Sequence, residues 1–276
     1  MSVKLVVADF DGTFTEIDEE AGAAVDGWKE DVGRELGLTS PELERRWSAA
    51  QVIIESDPSR YGWLMGDKIV APAYADPLIM ARTVSELLFD EARVYVDRAE
   101  REDVLQNRLF KGNYGKMVTV FRDGADRFLR TLRKNADVVI VTNSGTDGVA
   151  RKVQQLSSDH SPVPVRGDAK KYVLDPTWDE VPESVERAGY GRPLFLRRRR
   201  YADVLSDLMR ERRLAPAEIA VVGDIYELDL LLPQYQGMRV ILTPRSRTPV
   251  FEIEAVRGAP SSYVAKNLGE VLRYLD

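Results

Sequence analysis

Three apolar runs predict an α/β chain built on a doubly wound parallel sheet. They are Leu5-Val6-Val7-Ala8, Val138-Val139-Ile140-Val141 and Ile219-Ala220-Val221-Val222, and each ends abruptly in small or acidic polar residues. A continuous apolar run, rather than an alternating one, reads as a strand buried on both faces, as in a sheet with helices on either side. Polar clusters just past such strands fall where open α/β sheets bind their ligands.

The first run leads into Asp9-Phe10-Asp11-Gly12-Thr13. If strand geometry persists, residues two apart project to the same side, so Asp9 and Asp11 share one small space. Two like charges that close favour a cation between them, and Mg²⁺ prefers hard oxygen ligands. Asp-Phe-Asp-Gly-Thr after an apolar strand resembles the first motif of the haloacid dehalogenase-like phosphohydrolases. That resemblance implies that Asp9 attacks phosphorus to form an aspartyl-phosphate. It implies that Asp11 serves as general acid for the leaving group and then as base for water. The fold it implies is a Rossmann-like core with a cap inserted after the first strand.

The whole chain narrows the alternatives. Its 276 residues suit one large domain or two modest ones, and its net charge of −6 disfavours nucleic acid as a partner. No apolar run is long enough to span a membrane, and Met1-Ser2-Val3-Lys4 lacks the regions of a secretion signal, so a cytoplasmic protein is expected. With no cysteine there is no disulfide, thiol nucleophile or Cys-ligated zinc. The single histidine, His160, sits in Ser157-Ser158-Asp159-His160-Ser161-Pro162, which reads as an exposed loop. Carboxylate chemistry is the main remaining option.

From Thr15 to about Phe121 the periodicity is helical. Val25, Trp28, Val32 and Leu36 mark one helix face, and Gly37 stops it. Thr39 and Glu42 have capping-box spacing ahead of Leu43, Trp47, Ala50 and Ile54. A loop follows at Asp57 to Gly62, then helices over Leu78 to Phe89 and Arg98 to Phe110. Residues 17–115 are therefore expected to form a helical cap, with residues 1–16 and 116–276 as the core. Trp28, Trp47, Tyr61 and Trp63 read first as cap core and second as contacts to a leaving group.

Asp123 to Lys134 reads as an amphipathic helix with Phe128, Leu129 and Leu132 inward. The second run ends in Thr142-Asn143-Ser144-Gly145, with a helix starting near Thr146. In the family this position carries a Thr or Ser that binds the transferring phosphoryl group, which Thr142 matches, and the resemblance implies that Asn143 after it also holds the phosphoryl oxygens. Ser161 to Leu196 is poorly legible. Pro162 to Val165 and Tyr172 to Leu174 resemble short strands, and 176–191 is loop-like. Asp168, Lys170 and Lys171 form a polar cluster that reads first as solvated and second as lining the site. Arg197-Arg198-Arg199-Arg200 follows a possible strand, Pro193 to Leu196, and opens a helix. The family places its third-motif cation at the start of this helix, about 25 residues before the fourth-motif aspartate. That count reaches Arg199, with Arg200 next, each able to bridge carboxylate and phosphoryl oxygens.

The third run ends in Gly223-Asp224-Ile225-Tyr226-Glu227-Leu228-Asp229, close to the family's fourth motif. The resemblance implies that Asp224 binds Mg²⁺ directly. Asp229 would bind it through water or orient Asp224, with Glu227 as a lesser substitute. Together with Asp9 and the Asp11 main-chain carbonyl these complete the expected metal ligands. Arg239 to Leu242 reads as another core strand, Val264 as the start of a short one, and Leu268 to Leu275 as a closing helix. The resemblance spans Val3 to Thr13 and about Asp123 to Leu242. The expected function is a Mg²⁺-dependent phosphohydrolase acting on a small phosphorylated metabolite, with no nucleic acid or membrane partner, as a monomer or homodimer. The alternatives are a phosphomutase of the same superfamily and a non-catalytic binder of phosphate esters. The branch that cleaves carbon–halogen bonds generally lacks the second aspartate, so Asp11 argues against it.

Overall fold

The computed structural model describes residues 2–157 and 162–275, and His160 lies outside them. The chain divides into two compact units, Met1–Glu16 with Phe121–Asp276, and Ile17–Val120. Ten strands form among the described residues: β1 (Leu5–Ala8), β2 (Gly62–Met65), β3 (Lys68–Pro72), β4 (Asp137–Val141), β5 (Val165–Arg166), β6 (Ser184–Val185), β7 (Leu194–Phe195), β8 (Ile219–Gly223), β9 (Arg239–Leu242) and β10 (Ser262–Val264).

The first unit is built on a six-stranded sheet in the order β10-β9-β8-β1-β4-β5. All of its pairings are parallel. From β1 the chain moves out through β4 and β5, then returns to the other side for β8, β9 and β10. The order therefore reverses at β1, and the crevice outside its carboxyl end is the topological switch point. Side chains alternate across the sheet. Leu5, Val7, Val139, Val141 and Val221 pack on one face with Tyr201, Leu205 and Leu208 of the helix Arg199–Arg212. Val6, Ala8, Ile140, Ala220 and Val222 pack on the other with Phe128, Leu129 and Leu132 of the helix Ala125–Asn135. Val149 and Val153 of the helix Thr146–Leu156 join that second face. Both faces are covered, so the strands read as unbroken apolar runs.

Residues 172–198 depart from the expected pattern. Tyr172 to Leu174 form no strand, and β7 pairs antiparallel with β6, outside the main sheet. The loop-like stretch is nevertheless anchored: Trp178, Val181, Tyr190 and Leu194 are buried in the first core.

The second unit is mainly helical, with Gly22–Glu35, Ser40–Ser56 and Pro77–Ala92 as its long helices. Trp28, Val32, Leu43, Trp47, Ala50 and Ile54 are all buried, as their spacing predicts, while Tyr61 and Trp63 are half-buried. The Trp28 indole N–H donates to Ser85 Oγ at 2.9 Å. Thr39 is the N-cap of its helix, yet its side chain makes no capping hydrogen bond. The β2–β3 hairpin departs from the helical pattern expected for this unit. Its signal is the Gly66-Asp67 turn between two apolar runs, with Gly66 at φ +66. The unit extends to Val120 rather than to 115 because the Val118 N–H donates to Glu20 O at 3.2 Å and the Val120 N–H to Glu20 Oε1 at 3.3 Å. No helix among the described residues is long and apolar enough to cross a membrane.

Candidate active site

Three neighbouring strands deliver the site. Asp9 follows β1 and continues its pairing, the Asp9 N–H donating to Val222 O at 2.8 Å. Thr142 follows β4, and Asp224 follows β8. After Asp11 the chain turns sharply, with the Thr13 and Phe14 N–H groups both donating to Phe10 O. Gly12 makes this possible at φ +81, and it is wedged against Asp224, since a Cβ there would lie 2.2 Å from Asp224 Oδ2. Gly223 is equally tight, because a Cβ would meet that of Asp229 at 2.4 Å. Beyond β8 a π-helical turn, Tyr226–Leu230, carries Asp229 inward. Asp229 Oδ2 accepts from the Ile225 N–H at 3.1 Å.

Asp9, Asp224 and Asp229 are all buried, and each offers a carboxylate oxygen within 4.8 Å of the others. Two cations enter this cluster. Lys171 Nζ donates to Asp9 Oδ1 at 2.7 Å and to Asp229 Oδ1 at 2.8 Å. Arg245 Nε lies 2.9 Å from Asp224 Oδ2. Burial alone would push the Lys171 ammonium down, but Asp229 and Asp9 outweigh it and hold the lysine above its usual range. Burial pushes Asp9 well above the carboxylate range against the pull of Lys171, and the neighbouring aspartates add to that push. Burial likewise pushes Asp224 up to about 7 despite Arg245. When ionised, the three buried carboxylates outnumber the two cations, and an all-oxygen donor set of this kind suits a hard divalent cation.

Asp11 faces the other way. Its Oδ2 accepts from Ser144 Oγ at 2.6 Å and from Thr142 Oγ1 at 3.4 Å, and Lys152 Nζ stands 3.7 Å from its Oδ1. Thr142 Oγ1 also accepts from the Ser144 N–H at 3.1 Å. Asp11 is half-buried, so its carboxyl is reachable, and Ser144 aims it, a contact the sequence reading did not include. Asn143 Oδ1 accepts from the Lys171 N–H at 2.8 Å, so it holds the lysine's backbone.

The cation that stands on Asp9 is Lys171, and Arg199 does not reach it. Arg199 is 54% exposed and lies 3.5 Å from Asp175 and 4.0 Å from Asp203, while Arg200 is exposed. Arg197 donates to Pro176 O and Val181 O. The helix starts where expected, but residues 172–198 separate it from the lysine, so counting back about 25 residues from Asp224 stops short of Lys171. Lys171 is not solvated: its side chain is 1% exposed, whereas Asp168 is exposed. Asp168 and Lys170 adopt left-handed backbone at φ 52 and φ 49, shaping a tight loop after β5. The available signal was the position of this lysine, just past the strand next to β4.

Arg198 supports the lysine from behind, donating from Nη1 to Lys171 O at 2.5 Å and from Nε to Phe195 O at 3.0 Å. Burial lowers Arg198 to about 10, with Glu227 opposing. Glu227 does not join the three clustered aspartates. It is fully buried against Arg192, at 2.9 and 2.5 Å, and Arg198, at 3.4 Å. It follows that Arg199→Ala is expected to change kcat/KM by less than about threefold and stability by less than about 0.5 kcal/mol. Steady-state kinetics and a thermal melt check this, and a loss of a hundredfold would place Arg199 in the site.

No protein-family model matches the chain, and no curated protein matches its sequence. Solved structures do match in fold. A predicted phosphoglycolate phosphatase from Haemophilus somnus 129PT is 14% identical, with a TM-score of 0.58, over 100% of this chain and 99% of that one. The putative HAD-hydrolase YfnB from Bacillus subtilis, bound to magnesium, is 15% identical, with a TM-score of 0.57, over 100% of both chains. A haloacid dehalogenase-like family hydrolase from Streptococcus pneumoniae is 16% identical, with a TM-score of 0.54, over 99% of both. The chain therefore has the haloacid dehalogenase-like fold, as the Asp9 and Asp224 motifs implied.

Proposed function

We propose that the chain is a divalent-metal-dependent phosphohydrolase that cleaves a small phosphomonoester through an aspartyl-phosphate on Asp9. The observation that supports it most is the convergence of Asp9, Asp11, Thr142 and Asp224 on one switch point, with Lys171 on the nucleophile. Asp9 and Asp224 would hold Mg²⁺, with Asp229 beside them and the Asp11 main-chain carbonyl as the further ligand the family resemblance implies. The bound cation would offset the nucleophile's charge and polarise a phosphoryl oxygen. Asp9 attacks phosphorus, while Thr142 and Lys171 bind the phosphoryl oxygens as charge shifts. Asp11, aimed by Ser144, gives a proton to the departing alkoxide and later takes one from water. Arg198 and Asn143 keep Lys171 in place.

Release of p-nitrophenol from p-nitrophenyl phosphate tests this reading. Turnover is expected with Mg²⁺ and is expected to vanish with EDTA. Equal rates in both conditions would overturn the metal assignment, and phosphate ester binding without release would favour a non-catalytic relative. Transfer to a second hydroxyl, without release to water, would favour a phosphomutase.

The pH dependence follows from Asp224. A carboxyl raised to about 7 by burial keeps its proton below neutrality, and a metal must displace that proton. Mg²⁺ affinity is therefore expected to weaken by up to about tenfold per pH unit below pH 7 and to level off above it. Calorimetric titrations at several pH values check this, and a flat profile would exclude it.

A further inference from the structure

We infer that Arg245 is an internal competitor for the divalent cation, taking the Asp224 carboxylate when the metal is absent and giving it up when the metal binds. This rests on the metal-dependent reading above. Arg245 Nε lies 2.9 Å from Asp224 Oδ2, and both side chains are almost fully buried, at 3% and 4% exposure. Asp224 is the residue expected to ligate the metal. A guanidinium and a divalent cation on the same buried carboxylate repel each other strongly, because little water screens them.

The surroundings decide which partner yields. The Asp224 carboxylate has little room to turn, since Gly12 is packed against it without space for a Cβ. The backbone carrying Arg245 is held from several sides. The Thr243 N–H donates to Gly223 O at 2.8 Å, and the Arg245 N–H to Thr248 Oγ1 at 2.9 Å. Arg122 clamps the same loop to the first motif, donating to Gly12 O, Thr243 O and Pro244 O at 3.2 to 3.5 Å. With the backbone and the Asp224 carboxylate held, the long Arg245 side chain is the group that would have to give way to a metal. Metal affinity is thereby set below what the carboxylates alone would give, and the site keeps a counter-charge when no metal is present.

The test is calorimetric titration of Mn²⁺ into the full chain and into Arg245→Gln, at about pH 8.5 so that protons do not compete. The variant is expected to bind Mn²⁺ about tenfold tighter or more, within the usual range of coupling between two ligands. Binding that is equal or weaker in a folded variant overturns the competitor role and leaves the phosphohydrolase reading intact. No Mn²⁺ binding by either protein overturns both. A second measurement avoids dependence on the Gln variant. The Arg245 Nε–H resonance, assigned through its loss in Arg245→Lys, is expected to shift and exchange faster with solvent as Mg²⁺ is added to the wild-type chain. An unchanged resonance at saturating Mg²⁺ overturns the inference.

Discussion

Lys171→Met is expected to lose both activity and stability. The ammonium is buried between Asp9 and Asp229, donating to each at 2.7 and 2.8 Å. Removing one member of a buried ionic group strands the others, at a cost of about 3–5 kcal/mol. The stranded carboxylates answer by taking protons, which softens the loss at low pH. Asp9 already binds its proton more tightly than a free carboxyl does, so the folded variant holds more protons than the unfolded chain above the ordinary carboxylate pKa. Stability of the variant should thus fall, relative to wild type, as pH rises from about 4 toward 8. Chemical denaturation at pH 5 and pH 8 measures this. A cost that is the same at both pH values, or absent at pH 8, would refute the bridging role. On the phosphohydrolase reading proposed above, a cation is lost beside the phosphoryl group, and kcat is expected to drop by about 10²–10³ even where the variant is folded.

Asp9→Asn separates catalysis from stability in the opposite sense. The amide has nearly the same shape but no negative charge, so one of three crowded carboxylates is neutralised. Asp229 still accepts from Lys171, and the ammonium keeps a partner. Without added metal, the melting temperature is expected to hold or rise, because like-charge repulsion and the cost of a buried charge both fall. The amide is no nucleophile, so kcat is expected to fall by at least about 10⁴. Acid-quenched samples incubated with substrate, examined by mass spectrometry, should show the phosphoryl adduct on the wild-type chain only. Turnover within tenfold of wild type would falsify Asp9 as the nucleophile. Mg²⁺ should also stabilise this variant less, since one ligand has lost its charge.

Much of this protein was readable from local patterns. β1 and β8 are unbroken apolar runs, and β4 and β9 are apolar after their first residues, Asp137 and Arg239, as a sheet covered on both faces demands. The polar residue just past a strand lies at the sheet's carboxyl edge whatever the rest of the chain does, so Asp9, Thr142 and Asp224 could be placed without coordinates. Helix faces repeat every three or four residues, and Trp28, Trp47 and Ile54 fell on the buried side as expected. What failed depended on distance through space. Lys171 and Arg199 are both basic and both precede Asp224, and only the fold shows which one reaches Asp9. Residues 172–198 stand between Lys171 and the helix that Arg199 opens, so sequence spacing did not show which cation reaches Asp9. Their burial against the first core by Trp178, Tyr190 and Leu194 has no period from which to read it. Arg245 shows the same limit: it carried no motif, and it meets Asp224 only because β9 lies beside β8 and Arg122 clamps the loop that follows. The sequence by itself determined the strands, their polar ends and the carboxylates gathered there, because each is written within a few residues. The tertiary structure alone decided which cations stand on those carboxylates. A long basic side chain can reach several places, and its partner is chosen by packing between segments far apart in the chain.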